Sequence, residues 1–176
     1  MDSLQINNQT FQIFIPEPEI LARIAQLAHI LQTDYQNTRP LFLAVLNGSF
    51  MFASDLLKCL HIECEIQFVK LSSYQGMQST GKVSELIGLN QSIANRDIII
   101  LEDIIDSGLT MHELLQSVQK LQPKSIEVCA LLLKPEALKV PLQIKYVGFE
   151  VGNEFLLGYG LDYDGLGRNL RHIFKL

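Results

Sequence analysis

Three short runs in this chain are apolar at every position: LFLAVL (Leu41–Leu46), IIIL (Ile98–Leu101) and VCALLL (Val128–Leu133). A strand's side chains alternate between two faces, so a strand apolar on both must be covered on both. Helical spacing lies between these runs. IPEPEILARIAQLAHILQTDY carries Ile20, Ile24, Leu27 and Leu31 along one stripe, with Pro and Glu at its start. FMFASDLLKCL and the stretch through Met111, Leu114, Leu115, Val118 and Leu121 repeat that spacing. IECEIQFVKL alternates as a strand, VSELIG reads as a return strand, and IKYVGFEV and FLLGYGLDY read as two more. Apolar strands alternating with helices predict an α/β fold, a mostly parallel sheet flanked by helices. In such sheets ligands sit beyond the carboxyl ends of the strands.

The 176 residues suffice for a single domain, 1–176, with a substantial core. A net charge of −5 argues against broad binding to nucleic acid or to an anionic membrane surface. No apolar stretch is long enough to span a bilayer, and MDSLQINNQT has no basic region followed by an apolar run. Cys59, Cys64 and Cys129 are an odd number without a C-x-x-C pair, which predicts reduced thiols and a cytoplasmic location. His29, His61, His112 and His172 show no ligand spacing.

The chemistry concentrates in EDIIDSGLT, Glu102 to Thr110. A strand over Asp97–Leu101 is expected to end there, followed by a turn from Asp106 to Thr110 that opens a helix. Small residues in that turn leave backbone N–H groups free beside the positive end of a helix dipole, an arrangement that holds a phosphate. Glu102 and Asp103 stand just upstream, placed to accept from neutral hydroxyls or to approach a phosphate-bound metal. A phosphate beside acceptors for vicinal hydroxyls describes a ribose 5-phosphate. Simple helix capping by Asp106 or Ser107 accounts for one acid and leaves two unexplained. A receiver-type aspartate pocket would not need the small-residue turn, and no G-x-G-x-x-G follows any strand. The polar stretch from Ser72 to Lys82 reads as a functional loop.

The stretch resembles the phosphoribosyl-diphosphate (PRPP) motif of type I phosphoribosyltransferases: an apolar strand, two acids, two apolar residues and D-[ST]-G-x-T. LNGSF, SSYQGMQSTG, LLLKP, VGFEV and EFLLGYGLDY, then Arg168, follow in family order, similar to the hypoxanthine (6-oxopurine) branch across nearly the whole chain. The resemblance implies a small hood built from the terminal segments. It implies that Ser107, Gly108, Leu109 and Thr110 bind the 5-phosphate, that Glu102 and Asp103 accept from the ribose hydroxyls, and that Asp106 is the catalytic acid/base facing purine N7. Lys134 would donate to the 6-oxo group, Phe155 would stack on the base, and the Leu156 backbone would read the purine edge. Asn47 and Gly48, after a cis peptide at Leu46–Asn47, would form the pyrophosphate loop together with Arg168. Asp162, with Glu102 and Asp103, would hold Mg2+, while Ser73 and Tyr74 would belong to a lid.

The implied activity is transfer of a phosphoribosyl group from PRPP to hypoxanthine and guanine, with no nucleic-acid or membrane partner, in a homodimer or homotetramer. The alternative is a PRPP-sensing regulator of the same fold; it calls for a basic face and loss of catalytic parts. A pyrimidine-specific relative fits poorly with the KP and EFLLGYGLDY segments. Asn47 departs from a position that is often basic in the family. If charge matters there, pyrophosphate affinity is lower; if the loop uses backbone donors, the change is tolerated. Leu109 replaces a frequently polar residue at a position expected to donate its N–H.

Overall fold

The computed structural model describes residues 3–73 and 84–176, with the side chains of 71–73 and 84–87 left aside. β1 (Ser3–Ile6) and β2 (Gln9–Ile15) form a hairpin that the sequence reading above did not anticipate. Its turn is Asn7–Asn8, both with positive φ (49° and 62°), a backbone that asparagine tolerates better than most residues. α1 (Glu17–Tyr35) follows, with Pro at its first turn and Ile20, Ile24, Leu27 and Leu31 buried along one face. Its Glu17 N–H donates to His172 Nδ1 at 2.9 Å, which satisfies one of the free donors at the helix start.

β3 (Leu41–Val45) is buried at all five positions. α2 (Phe50–Lys58) leads from it to β4 (Glu65–Ser73), parallel to β3, and β5 (Ser84–Ile87) returns antiparallel to β4. The chain then crosses to the other side of β3 and adds β6 (Asp97–Ile105) in parallel. α3 (Leu109–Gln119), β7 (Ser125–Leu133) and β8 (Tyr146–Glu150) complete the unit, giving the order β5–β4–β3–β6–β7–β8.

Why both faces must be covered is visible residue by residue. Phe42 and Ala44 of β3, with Ile99 and Leu101 of β6, pack with α1 and α2. Leu41, Leu43, Ile98 and Ile100, their immediate neighbours in sequence, pack with α3 on the opposite face. Each such side chain is worth about 1.5–3 kcal/mol when fully removed from water.

Two sequence expectations change. β6 does not stop at Leu101 but continues to Ile105, because Ile104 and Ile105 stay paired with Leu132 and Leu133 of β7. Glu102 and Asp103 are therefore strand residues. FLLGYGLDY is not one strand: only β9 (Leu156–Leu157) is extended, and positive φ at Gly158, Tyr159 and Gly160 then turns the chain away. β10 (Ile173–Lys175), also unanticipated, closes a second, antiparallel sheet in the order β1–β2–β10–β9. Phe11, Leu157 and Phe174 form its own small core, so the terminal segments do make a hood.

The strand order reverses between β3 and β6. Open parallel sheets bind ligands in the crevice outside the carboxyl ends of two such strands. Asn47 lies two residues beyond β3 and Asp106 immediately beyond β6.

Candidate active site

A pocket of about 460 Å³ opens at that switch point. From the sheet come Asn47 and Gly48 after β3, Glu102 and Asp103 within β6, Asp106 and Thr110 beyond it, and Lys134 after β7. From the hood side come Phe155, Leu156, Asp162 and Arg168. A smaller cup of about 110 Å³ shares Glu102, Asp106 and Thr110 and is completed by Ser107 and Gly108. One crevice thus gathers every described candidate except Leu109 and Ser73; Tyr74 lies outside the described residues.

The cup is shaped by Gly108, the residue before α3, at φ 76°. That left-handed φ favours glycine, and a Cβ there would also press on the Leu142 side chain at 2.7 Å, so the turn rests on an apolar buttress. Lys139 N–H donates to Ser107 O at 2.9 Å and holds the turn from below. Leu109 points its side chain to solvent, and its N–H reaches the Ser107 hydroxyl only at 3.5 Å. With free donors facing the helix start, the cup suits a dianionic phosphate.

On the opposite wall, the Leu46–Asn47 peptide is cis, as the resemblance implied. Gly48 has no room for a side chain, because a Cβ would overlap the carboxylate of Asp103. Asp103 is only 8% exposed, and its side chain hydrogen-bonds the Glu102 carboxyl. Burial first, and that bond second, push the Glu102 acid well above the ordinary carboxylate range, although part of its surface reaches the pocket. Two carboxyl groups in contact need a proton or a cation between them.

Lys134 is 7% exposed, so it is no strand-end lysine in solvent. Its Nζ donates to Asp106 Oδ2 at 2.9 Å, a pairing that spacing along the chain did not reveal. Asp162 accepts from Gly165 N–H at 2.8 Å and pairs with Arg168 Nη2 at 2.5 Å. It therefore sets a turn and holds a cation at once. Arg168 Nη1 donates to Gly160 O at 2.7 Å, which fixes the guanidinium at the pocket edge.

Residues 14–164 match the family model described as phosphoribosyl transferase domain. The chain belongs to the phosphoribosyltransferase family. This phosphoribosyltransferase is 40% identical over 170 residues to the hypoxanthine phosphoribosyltransferase of Buchnera aphidicola subsp. Schizaphis graminum, an alignment covering 95% of the chain and 96% of that relative. It is 38% identical to the Escherichia coli (strain K12) hypoxanthine phosphoribosyltransferase, at the same coverage of each. Among solved structures, it is similar to a hypoxanthine-guanine phosphoribosyltransferase from Bacillus anthracis, with a TM-score of 0.85 and 36% identity over 94% of this chain and 98% of that one.

In the phosphoribosyltransferase, Phe155 is 45% exposed and so is not core filling. Tyr163 meets its ring edge-on at 5.4 Å and Phe11 lies at 6.2 Å, which steadies one apolar surface at the pocket. Neither neighbour was singled out in the sequence. Phe11 comes from the hairpin, and the alternation of Phe11, Ile13 and Ile15 beside Asn7–Asn8 was the available signal.

Proposed function

We propose that this crevice transfers the 5-phosphoribosyl group of PRPP to hypoxanthine, and to guanine, releasing pyrophosphate in a purine-salvage reaction. The observation that carries the reading is the Lys134–Asp106 pair, an ammonium and a carboxylate 2.9 Å apart between the phosphate cup and Phe155. Ser107, Gly108, Leu109 and Thr110 take the 5-phosphate, and Glu102 and Asp103 accept from the ribose hydroxyls. Asp106 accepts the purine's ring proton as the nitrogen attacks C1. Lys134 donates to the 6-oxo group, Phe155 stacks on the base, and the Leu156 backbone reads its edge. Asn47, Gly48 and Arg168 receive the leaving pyrophosphate as its negative charge grows.

Four carboxyl groups line the pocket, Glu102, Asp103, Asp106 and Asp162, against two cations, Lys134 and Arg168. Both cations already hold an acid. Such a site fits Mg2+ carried by the substrate. The donors are hard oxygens, and among the described residues no group of three ligands forms a cage of its own. Asp162, with Glu102 and Asp103, would hold it; when bound it adds positive charge beside the leaving diphosphate.

The whole reaction is assigned to one domain, residues 1–176. Phe50 and Leu166, both exposed and lining one shallow pocket, are the apolar surface that a homodimer or homotetramer would cover, and three free thiols support a cytoplasmic setting. No helix among the described residues is long and apolar enough to cross a membrane.

The test is an absorbance assay with PRPP and magnesium, offering hypoxanthine, guanine, xanthine and adenine in parallel. Turnover is expected with hypoxanthine and guanine, lost on chelation, with adenine slower by about 10⁴-fold because the Lys134 donor faces no acceptor there. PRPP binding without turnover of any base would leave a sensor, not an enzyme.

A further inference from the structure

Gly158, Tyr159 and Gly160 run through three successive positive φ values, 96°, 51° and 102°. Glycine adopts them freely, whereas a tyrosine persists there only where its surroundings impose it. The surroundings are explicit. Tyr159 is 1% exposed, its N–H donates to Leu170 O at 2.8 Å, and its hydroxyl donates to Asp55 Oδ2 at 2.5 Å. Burial, then the Asp55 bond, push the phenol above its usual range, so it remains a donor around neutrality.

Asp55 belongs to α2, the helix that begins directly after the Asn47–Gly48 loop. The next residue after the tyrosine, Gly160, lies against that loop itself: a Cβ on Gly160 would overlap the carbonyl oxygen of Gly48. Gly160 O in turn receives Arg168 Nη1. Neither Tyr159 nor Asp55 lines the pocket. Their bond nevertheless joins the helix behind one wall to the segment that carries the other.

We propose that Tyr159 and Asp55 are positioning residues whose bond sets the spacing between the Gly48 loop and Arg168, and thereby the affinity for the diphosphate end of the donor. This rests on reading Asn47–Gly48 as the pyrophosphate loop. On that reading only the diphosphate would bridge the Gly48 loop and Arg168. A nucleotide product lacking it contacts the cup and the base site alone, so inosine 5′-monophosphate serves as the internal control.

The experiment measures magnesium pyrophosphate and inosine 5′-monophosphate binding by calorimetry on the full chain and on Tyr159→Phe, Asp55→Ala, Asp55→Asn and Gly48→Ala. Tyr159→Phe and Asp55→Ala are expected to weaken pyrophosphate by about ten-fold, the scale on which residues that touch no ligand shift binding through packed neighbours. Asp55→Asn restores most of it, since the amide oxygen still accepts. Nucleotide affinity stays unchanged in all three. Pyrophosphate affinity unaltered by Tyr159→Phe, or both ligands weakened together, overturns the proposal. Gly48→Ala separates the two ideas. If it leaves pyrophosphate binding intact, the loop assignment is wrong; if it weakens binding while Tyr159→Phe does not, only the positioning role falls.

Discussion

Asp106→Asn will bind PRPP as the parent does and transfer it about 10²–10⁴-fold more slowly, the usual contribution of a positioned acid/base group. Asparagine matches the shape of aspartate and keeps an oxygen for Lys134 Nζ, now 2.9 Å from Oδ2. It cannot take a proton. Asp106 lines both the main pocket and the phosphate cup, where the base and the ribose would meet. The ground state should be spared and the transition state should not, a loss seen in kcat and kcat/KM alike. Single-turnover rates beside a PRPP dissociation constant check this. Unchanged turnover would remove Asp106 from the proton's path, and a large loss of PRPP affinity would make it a donor-binding residue instead.

The second large effect is expected at Lys134. Lys134→Met keeps the length of a side chain that is almost wholly buried but removes its three donors. Hypoxanthine should then lose roughly 10³-fold in kcat/KM, while adenine, which never used the donor, loses far less. Discrimination collapses from the hypoxanthine side. Because Lys134 also holds Asp106, the double variant with Asp106→Asn should cost less than the two single losses combined. Equal losses for both bases would mean that Lys134 acts only through Asp106 and reads nothing.

The parallel core was legible because its signal is local. Leu41 through Val45 and Ile98 through Leu101 are apolar on consecutive positions, and no other arrangement buries both faces so simply. The phosphate turn was legible for the same reason, with Asp106 to Thr110 contiguous. The end of β6 was misread because acids at 102 and 103 look like the edge of a buried run. What keeps them in a strand is pairing with β7, and β7 lies far along the chain. Lys134 and Asp106 are 28 residues apart, and Tyr159 and Asp55 are 104 apart. Contacts of that kind leave no periodicity to read. Asp162 shows a further limit: the one side chain uses one oxygen to set a turn and the other to pair with Arg168, and that double use is not visible in the spacing of LDYDG.

The two cations of the crevice do not wait unpaired: Lys134 rests on Asp106, and Arg168 on Asp162. At Lys134 or Arg168, an orthophosphate or sulfate ion arriving alone must break an ion pair to gain one. A diphosphate arriving with divalent metal would instead bring the cation that Asp162, Glu102 and Asp103 are proposed to hold. Charge pairing at Lys134 and Arg168 should thus disfavour bare anions there, and an excess of inorganic phosphate should compete poorly with magnesium pyrophosphate.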